Sequence, residues 1–177
     1  SEFTFDSLSS RYQNLAIDTQ RVLSVSLSQQ QQSDSLVKLV TDAQTSQFLP
    51  LYQHLLFDNL AQFLIKKDLK HDAELTYQAY IKLTKNNIWS ARFSLALLTL
   101  YHREGRFASM HRLKADYVKQ FGLEGTFWHQ AKSSMQKELL PHLLSFSDEY
   151  ARRTYANAQE QGQGSLRIST FNKRKKN

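Results

Sequence analysis

The chain has 177 residues and no cysteine, so disulfides, thiolate metal sites and cysteine nucleophiles are all excluded, while the length suffices for a core without a staple. Its formal net charge is +7, yet five of those charges, Arg167, Lys173, Arg174, Lys175 and Lys176, fall within residues 161–177 without an acid among them. The body is therefore close to neutral, which argues against a broadly basic nucleic-acid-binding surface.

In chain order, the first predicted helix carries Leu8, Tyr12, Leu15, Thr19 and Val22 at alternating steps of four and three, with Asp6 or Ser7 as its cap. It gives way to a polar, glutamine-rich link over residues 26–35, which is either a hinge or the solvated end of a helix. The opening Ser1-Glu2-Phe3 has the look of a cloning junction, so a membrane anchor or a further domain beyond this fragment is an open expectation. No run of about 18 apolar residues is present.

From residue 33 the pattern is consecutively helical, over 35–46, 50–67, 71–84, 89–104, 107–121, 127–140 and 142–159. Five glycines and two prolines are the only strong breakers. Gly105, Gly122 and Gly125 fall between helical patterns, and Pro50 and Pro141 sit where helices are expected to start. The expected organisation is an N-terminal helix and link over 1–32, a helical domain over 33–160 and a basic, flexible tail over 161–177. In that tail Leu166, Ile168 and Thr170 alternate as in a short strand, with no second strand in the chain to pair with it.

An internal repeat relates the middle helices. A shift of 37 residues lays Leu56 on Phe93, Leu60 on Leu97, Leu64 on Tyr101, Asp68 on Gly105, Tyr80 on Tyr117 and Ile81 on Val118. Tandem helical hairpins of that period bury their apolar faces only by stacking on neighbours. Ala61, Ala73, Tyr77 and Tyr80 in the first unit, and Leu97, Tyr101, Gly105 and Phe107 in the second, resemble the tetratricopeptide family and its Sel1-like relatives. The resemblance covers about residues 50–121 and implies an all-α fold of seven to eight helices, stacked as antiparallel hairpins in a superhelix, with protein binding as its work. Leu98 and Met110 stand where that family has small residues, so wider helix crossings are expected. The stretch from Ile88 to Ala131 is also similar to the helical domain that ends bacterial FimV-type pole-organising proteins and is found in membrane-anchored regulators of polar flagella.

Candidate chemistry is sparse. His102, Glu104 and His111 crowd one stretch, but the two histidines are nine residues apart rather than three or four, so they do not share a helix face as metal ligands do. The expected structure there is a turn, with Gly105 left-handed and His102, Arg103 and Arg106 serving the last carbonyls of a helix. Ser134 and Lys137 form an S-x-x-K pair without the S-D-N and K-T-G elements that such enzymes need. His54, His71, His129 and His142 are scattered, and Asp72 beside His71 is better placed to begin a helix. No catalytic residue, cofactor or metal is expected.

Aromatic residues crowd the repeats. Those in excess of what two hairpins can bury would anchor a partner protein or peptide, and Tyr77, Trp89 and Trp128 are the expected anchors. The run Lys173, Arg174, Lys175 and Lys176 is a solvated tail, a contact with anionic lipid or a nucleic-acid contact. A homodimer through the N-terminal helix is a further expectation, and neither a periplasmic nor a cytoplasmic location is favoured.

Overall fold

The computed structural model describes residues 10, 14, 18, 32–42 and 53–174, and within the last helix side chains as far as residue 160. The described residues form an all-α fold of seven helices with no strand. These are α1 Gln32–Thr41, α2 Gln53–Lys66, α3 Lys70–Thr84, α4 Ile88–Arg103, α5 Phe107–Phe121, α6 Thr126–Gln130 and α7 Ser133–Arg174. No described helix is long and apolar enough to cross a membrane. The expected helix over residues 8–22, the earlier part of the polar link and Pro50 lie outside the described residues. The end of that link, from Gln32, is the first turn of α1.

Two compact units divide the chain, residues 1–107 and 108–177, where the sequence predicted one domain over 33–160. The physical reason is visible in where each apolar face goes. In the first unit α2, α3 and α4 are antiparallel. Phe57 meets Tyr80 at 5.2 Å between ring centroids, and Tyr77 and Tyr80 both pack on Phe93 at 4.9 and 4.8 Å. Leu60, Ala61 and Leu64 of α2 are fully buried, and α1 lays Leu36 and Val40, one turn apart, against the α2–α3 pair. Burial of each such leucine contributes about 2 kcal/mol.

The 37-residue repeat is written into the backbone. Asp68 and Gly105 both take a left-handed conformation, at φ 60° and 67°. The Leu69 N–H donates to the Leu64 carbonyl and, 37 residues on, the Arg106 N–H donates to the Tyr101 carbonyl, both at 2.9 Å. Each is the six-to-one bond that closes a helix end, followed at once by the next helix. Between α3 and α4 the chain turns differently, and Asn87 caps α4 by accepting from the Trp89 N–H at 2.8 Å.

In the second unit α5 runs antiparallel to α7. Tyr117 meets Phe146 edge-on at 5.3 Å, Phe121 meets Phe127 at 5.2 Å, and Leu139 and Leu143 are buried beside them. Here two predicted boundaries are corrected. The break expected at Pro141 lies at Ala131–Lys132, and α7 continues through the proline. Losing the Pro141 N–H costs a helix bond and about 3 kcal/mol, but the flanking Leu139, Leu143 and Phe146 are all buried and hold the helix through it. The second correction concerns the tail. α7 is helical to Arg174, so residues 161–174 are neither the predicted flexible tail nor a strand over 166–170. The proline-free, Gln-, Ala- and Arg-rich sequence after residue 150 favours the helix. Lys173 and Arg174 thus belong to its last turn, and Lys175 and Lys176 lie outside the described residues.

Candidate functional site

Two of the three expected anchors are spent on the core. Tyr77 is completely buried, and its hydroxyl donates to Asp58 Oδ1 at 3.0 Å while accepting from Gln62 Nε2 at 2.9 Å. Burial, reinforced by the Asp58 charge, raises the phenol well above its ordinary range, so Tyr77 is a neutral bridge from α3 to α2. Trp128 is also buried, and its indole N–H donates to the Phe121 carbonyl, which satisfies a helix-end acceptor of α5. Aromatic content alone could not separate these from surface residues, because both lie on stripes that the fold happens to cover.

Trp89 is half-buried at the start of α4. The His54 ring stacks on it at 3.9 Å with the planes 14° apart, and the Arg92 guanidinium lies 4.4 Å from the indole centroid. Burial first, and the Arg92 charge second, lower the His54 pKa to about 4, so the imidazole is neutral at pH 7. Of the three anchors, only this one keeps a partly solvated aromatic surface.

The polar groups form two clusters that the sequence did not announce. In the first, Glu74 on α3 is buried and accepts from the Tyr101 hydroxyl at 2.7 Å and from both Arg106 terminal nitrogens, at 2.6 and 3.2 Å. Arg106 also lies over the Tyr101 ring at 4.5 Å. Burial pushes the Glu74 carboxyl up, but the hydrogen bonds from Arg106 and Tyr101 outweigh it and hold the group below the ordinary carboxylate range. Arg106 was expected to serve helix-end carbonyls through its side chain; its backbone N–H does that, and the side chain crosses to α3 instead.

In the second unit His111 and Lys114 of α5 face Glu149 and Arg153 of α7. Glu149 receives Lys114 Nζ at 2.5 Å and faces His111 Nδ1 at 2.6 Å, the latter a close approach rather than an aligned hydrogen bond. Arg153 lies 2.5 Å from His111 Nε2. A guanidinium can only donate, so Nε2 accepts and the imidazole proton sits on Nδ1, toward the carboxylate. Lys114 above all, and His111 after it, draw the Glu149 pKa down against a smaller opposing effect of burial. These partners are 35 to 42 residues apart, which no local spacing can reveal.

Both nitrogens of His111 face charged partners, and the adjoining hollow between Lys114, Phe146, Tyr150 and Arg153 has a cavity volume of about 20 Å³, far below the size of ordinary small-molecule sites. Ser134 and Lys137 are exposed near the start of α7. His102 is exposed at the end of α4, edge-on to Phe107 at 6.5 Å, in the turn that Gly105 makes. Among the described residues no three His, Asp or Glu side chains are grouped so as to hold a metal ion. Comparison of the chain with family models, with curated proteins and with solved structures gave no match.

Proposed function

We propose that the chain is a non-enzymatic protein-binding scaffold whose helical hairpins stack in tandem as in the tetratricopeptide family. What supports this reading is the recurrence, 37 residues apart, of the same left-handed turn and the same six-to-one bond at Asp68 and Gly105. A fold that repeats its backbone and varies its surface is suited to presenting side chains to a partner. The half-buried Trp89, steadied by His54 and Arg92, is the aromatic contact such a partner would use. The likeness of residues 88–131 to pole-organising proteins makes flagellum or pilus assembly the first place to seek that partner, with the chain as the soluble part of a membrane-anchored regulator.

A second reading, binding to nucleic acid or to an anionic membrane surface, is favoured by the acid-free run after residue 160. One experiment separates the two. A partner captured by cross-linking is purified, and its affinity is measured by calorimetry against the whole chain, the Trp89→Ala variant and a chain lacking residues 165–177. The scaffold expects a loss of about 1–2 kcal/mol for Trp89→Ala and little change without the tail. Near-complete loss on deleting the tail, with steep salt dependence beforehand, would replace it with the electrostatic reading.

A further inference from the structure

In the second unit His111 is held from two sides by groups of opposite charge. On α7, Glu149 Oε1 lies 2.6 Å from its Nδ1 and Arg153 Nη2 lies 2.5 Å from its Nε2. On its own helix Lys114, one turn further on, reaches the same carboxylate at 2.5 Å. Phe146 and Tyr150 complete the hollow beside the ring, and among the described residues no other charged group lines it. The imidazole side chain is 26% exposed, so protons reach it from solvent.

The two contacts on α7 ask opposite things of that ring. A guanidinium has donors and no acceptor, so Arg153 binds Nε2 only while that nitrogen keeps its lone pair. Protonation fills the lone pair, and one N–H then confronts another across 2.5 Å with like charges behind both. The same proton strengthens the attraction to Glu149, so the carboxylate keeps the ring while the guanidinium leaves. Arg153 has somewhere to go, because its side chain is 54% exposed and its Nε is already 3.7 Å from Glu149 Oε1. Position along α7 gives this exchange its reach. Leu139, Leu143 and Phe146 are buried, whereas every residue from 151 to 160 is exposed. Among the described residues, the side-chain hydrogen bonds beyond Arg153 stay within α7, from Thr154 to Tyr150 and from Gln159 to Tyr155. The contact of Arg153 with His111 is thus the last described side-chain tie to α5 before the exposed part of the helix.

We infer that His111 is a proton-operated latch on α7. When neutral it bridges Glu149 and Arg153 and ties the helix down at residue 153; when protonated it keeps Glu149, releases Arg153 and loosens α7 from that residue onward. A charge change at one imidazole is thereby converted into motion of a helix, a use to which histidine is suited. Lys114 does not interfere, since it approaches the second carboxylate oxygen, Oε2, and leaves Oε1 to the ring. The tie is a partly solvated one, so the expected shift is a change of populations and not an unfolding of the unit. The inference is independent of which partner the scaffold binds.

The absence of cysteine makes the test direct, because a spin label on Ala156→Cys, an exposed position just past the latch, is the only one in the whole chain. Imidazole NMR gives the pH at which His111 titrates, and the mobile fraction of the label should rise about threefold as pH falls through that same midpoint. Arg153→Met removes the group that the proton must displace and should raise the midpoint by about half a unit, while Glu149→Gln should lower it. His111→Gln offers an amide N–H to Glu149 and a carbonyl oxygen to Arg153 at every pH, so its label should stay held throughout the titration. His111→Lys, a permanent cation, should leave the label mobile throughout. Circular dichroism checks that helix content is unchanged across the series. A label whose mobility ignores pH in the parent chain would overturn the proposal. So would the same pH response in His111→Gln, a midpoint unmoved or lowered by Arg153→Met, or a loss of helix content that accompanies the rise in mobility.

Discussion

Glu74 and His111 occupy one position of the repeat and are handled in opposite ways. At the α3–α4 contact a single buried carboxylate takes donors from Tyr101 and a bidentate Arg106, and the pair closes the turn after α4 onto α3. At the α5–α7 contact the acid has moved to the other helix, and three basic groups surround Glu149 at a half-exposed surface. The backbone and the apolar stripes are what repeat; the polar seam is rewritten. Depth decides the energetics: a buried carboxylate that loses its cation is left with little water to replace it, while a half-exposed one can lose a partner cheaply.

The largest effect should come from breaking the deep seam on one side. Arg106→Met keeps the packing over Tyr101 but leaves Glu74 buried without its cation. Arg106 itself is partly solvated, so a loss of about 2–3 kcal/mol in urea unfolding is expected, less than for a fully enclosed pair. The pH dependence sharpens this. Because the folded pKa of Glu74 lies below its unfolded value, its contribution is present above the ordinary carboxylate range and disappears as pH falls through the folded value. Arg106→Met should therefore flatten the acid limb of the stability profile. His54 acts at higher pH with the same sign. Its folded pKa of about 4 against 6.5 means the unfolded chain binds the proton first, so stability falls as pH drops from 6.5 toward 4, and His54→Phe should remove that slope.

The paired turns give the next size of effect. Gly105→Ala places a Cβ on a left-handed residue that has open space around it, so the cost is conformational alone, about 1 kcal/mol in thermal or urea unfolding. Asp68→Gly relaxes the equivalent position and should gain about 0.5–1 kcal/mol. The paired tyrosines follow. The buried hydroxyl of Tyr117 has no hydrogen-bond partner among the described residues, unlike that of Tyr80, which meets Thr84. Tyr117→Phe should be neutral or stabilise by up to about 1 kcal/mol, and a clear destabilisation would mean that a partner is present.

How much of this was legible depends on the range of the signal. The helix-rich fold and the turn at Gly105 follow from periodicity and from a residue that ends helices, both local properties. The repeat was visible because Leu60, Leu97 and their neighbours must be apolar in every unit. Pro141 misled because a proline states only a missing donor, and whether a helix continues past it is settled by the burial of Leu139, Leu143 and Phe146. Composition counts aromatics without knowing which faces are covered, so it does not tell the buried Tyr77 and Trp128 from surface anchors. The Glu149 cluster, drawn from two helices with α6 between them, has no signature in sequence at all.

The smallest effect is the most informative about the shallow seam. Glu149→Gln removes the one acid among His111, Lys114 and Arg153, which should cost stability through lost attraction and also leave three basic groups facing one another. The site is open enough for water and salt to take up that charge, so the change in urea unfolding should stay below about 0.5 kcal/mol and shrink further in 0.5 M salt. The imidazole should nevertheless respond, because the carboxylate joins Arg153 in holding its proton on Nδ1. Nitrogen NMR of His111 should show the Nδ1–H form in the parent chain and a shift of population toward Nε2–H in the variant. A loss near that of Arg106→Met would mean that this seam is as dry as the one around Glu74, and the contrast between the two units would fall.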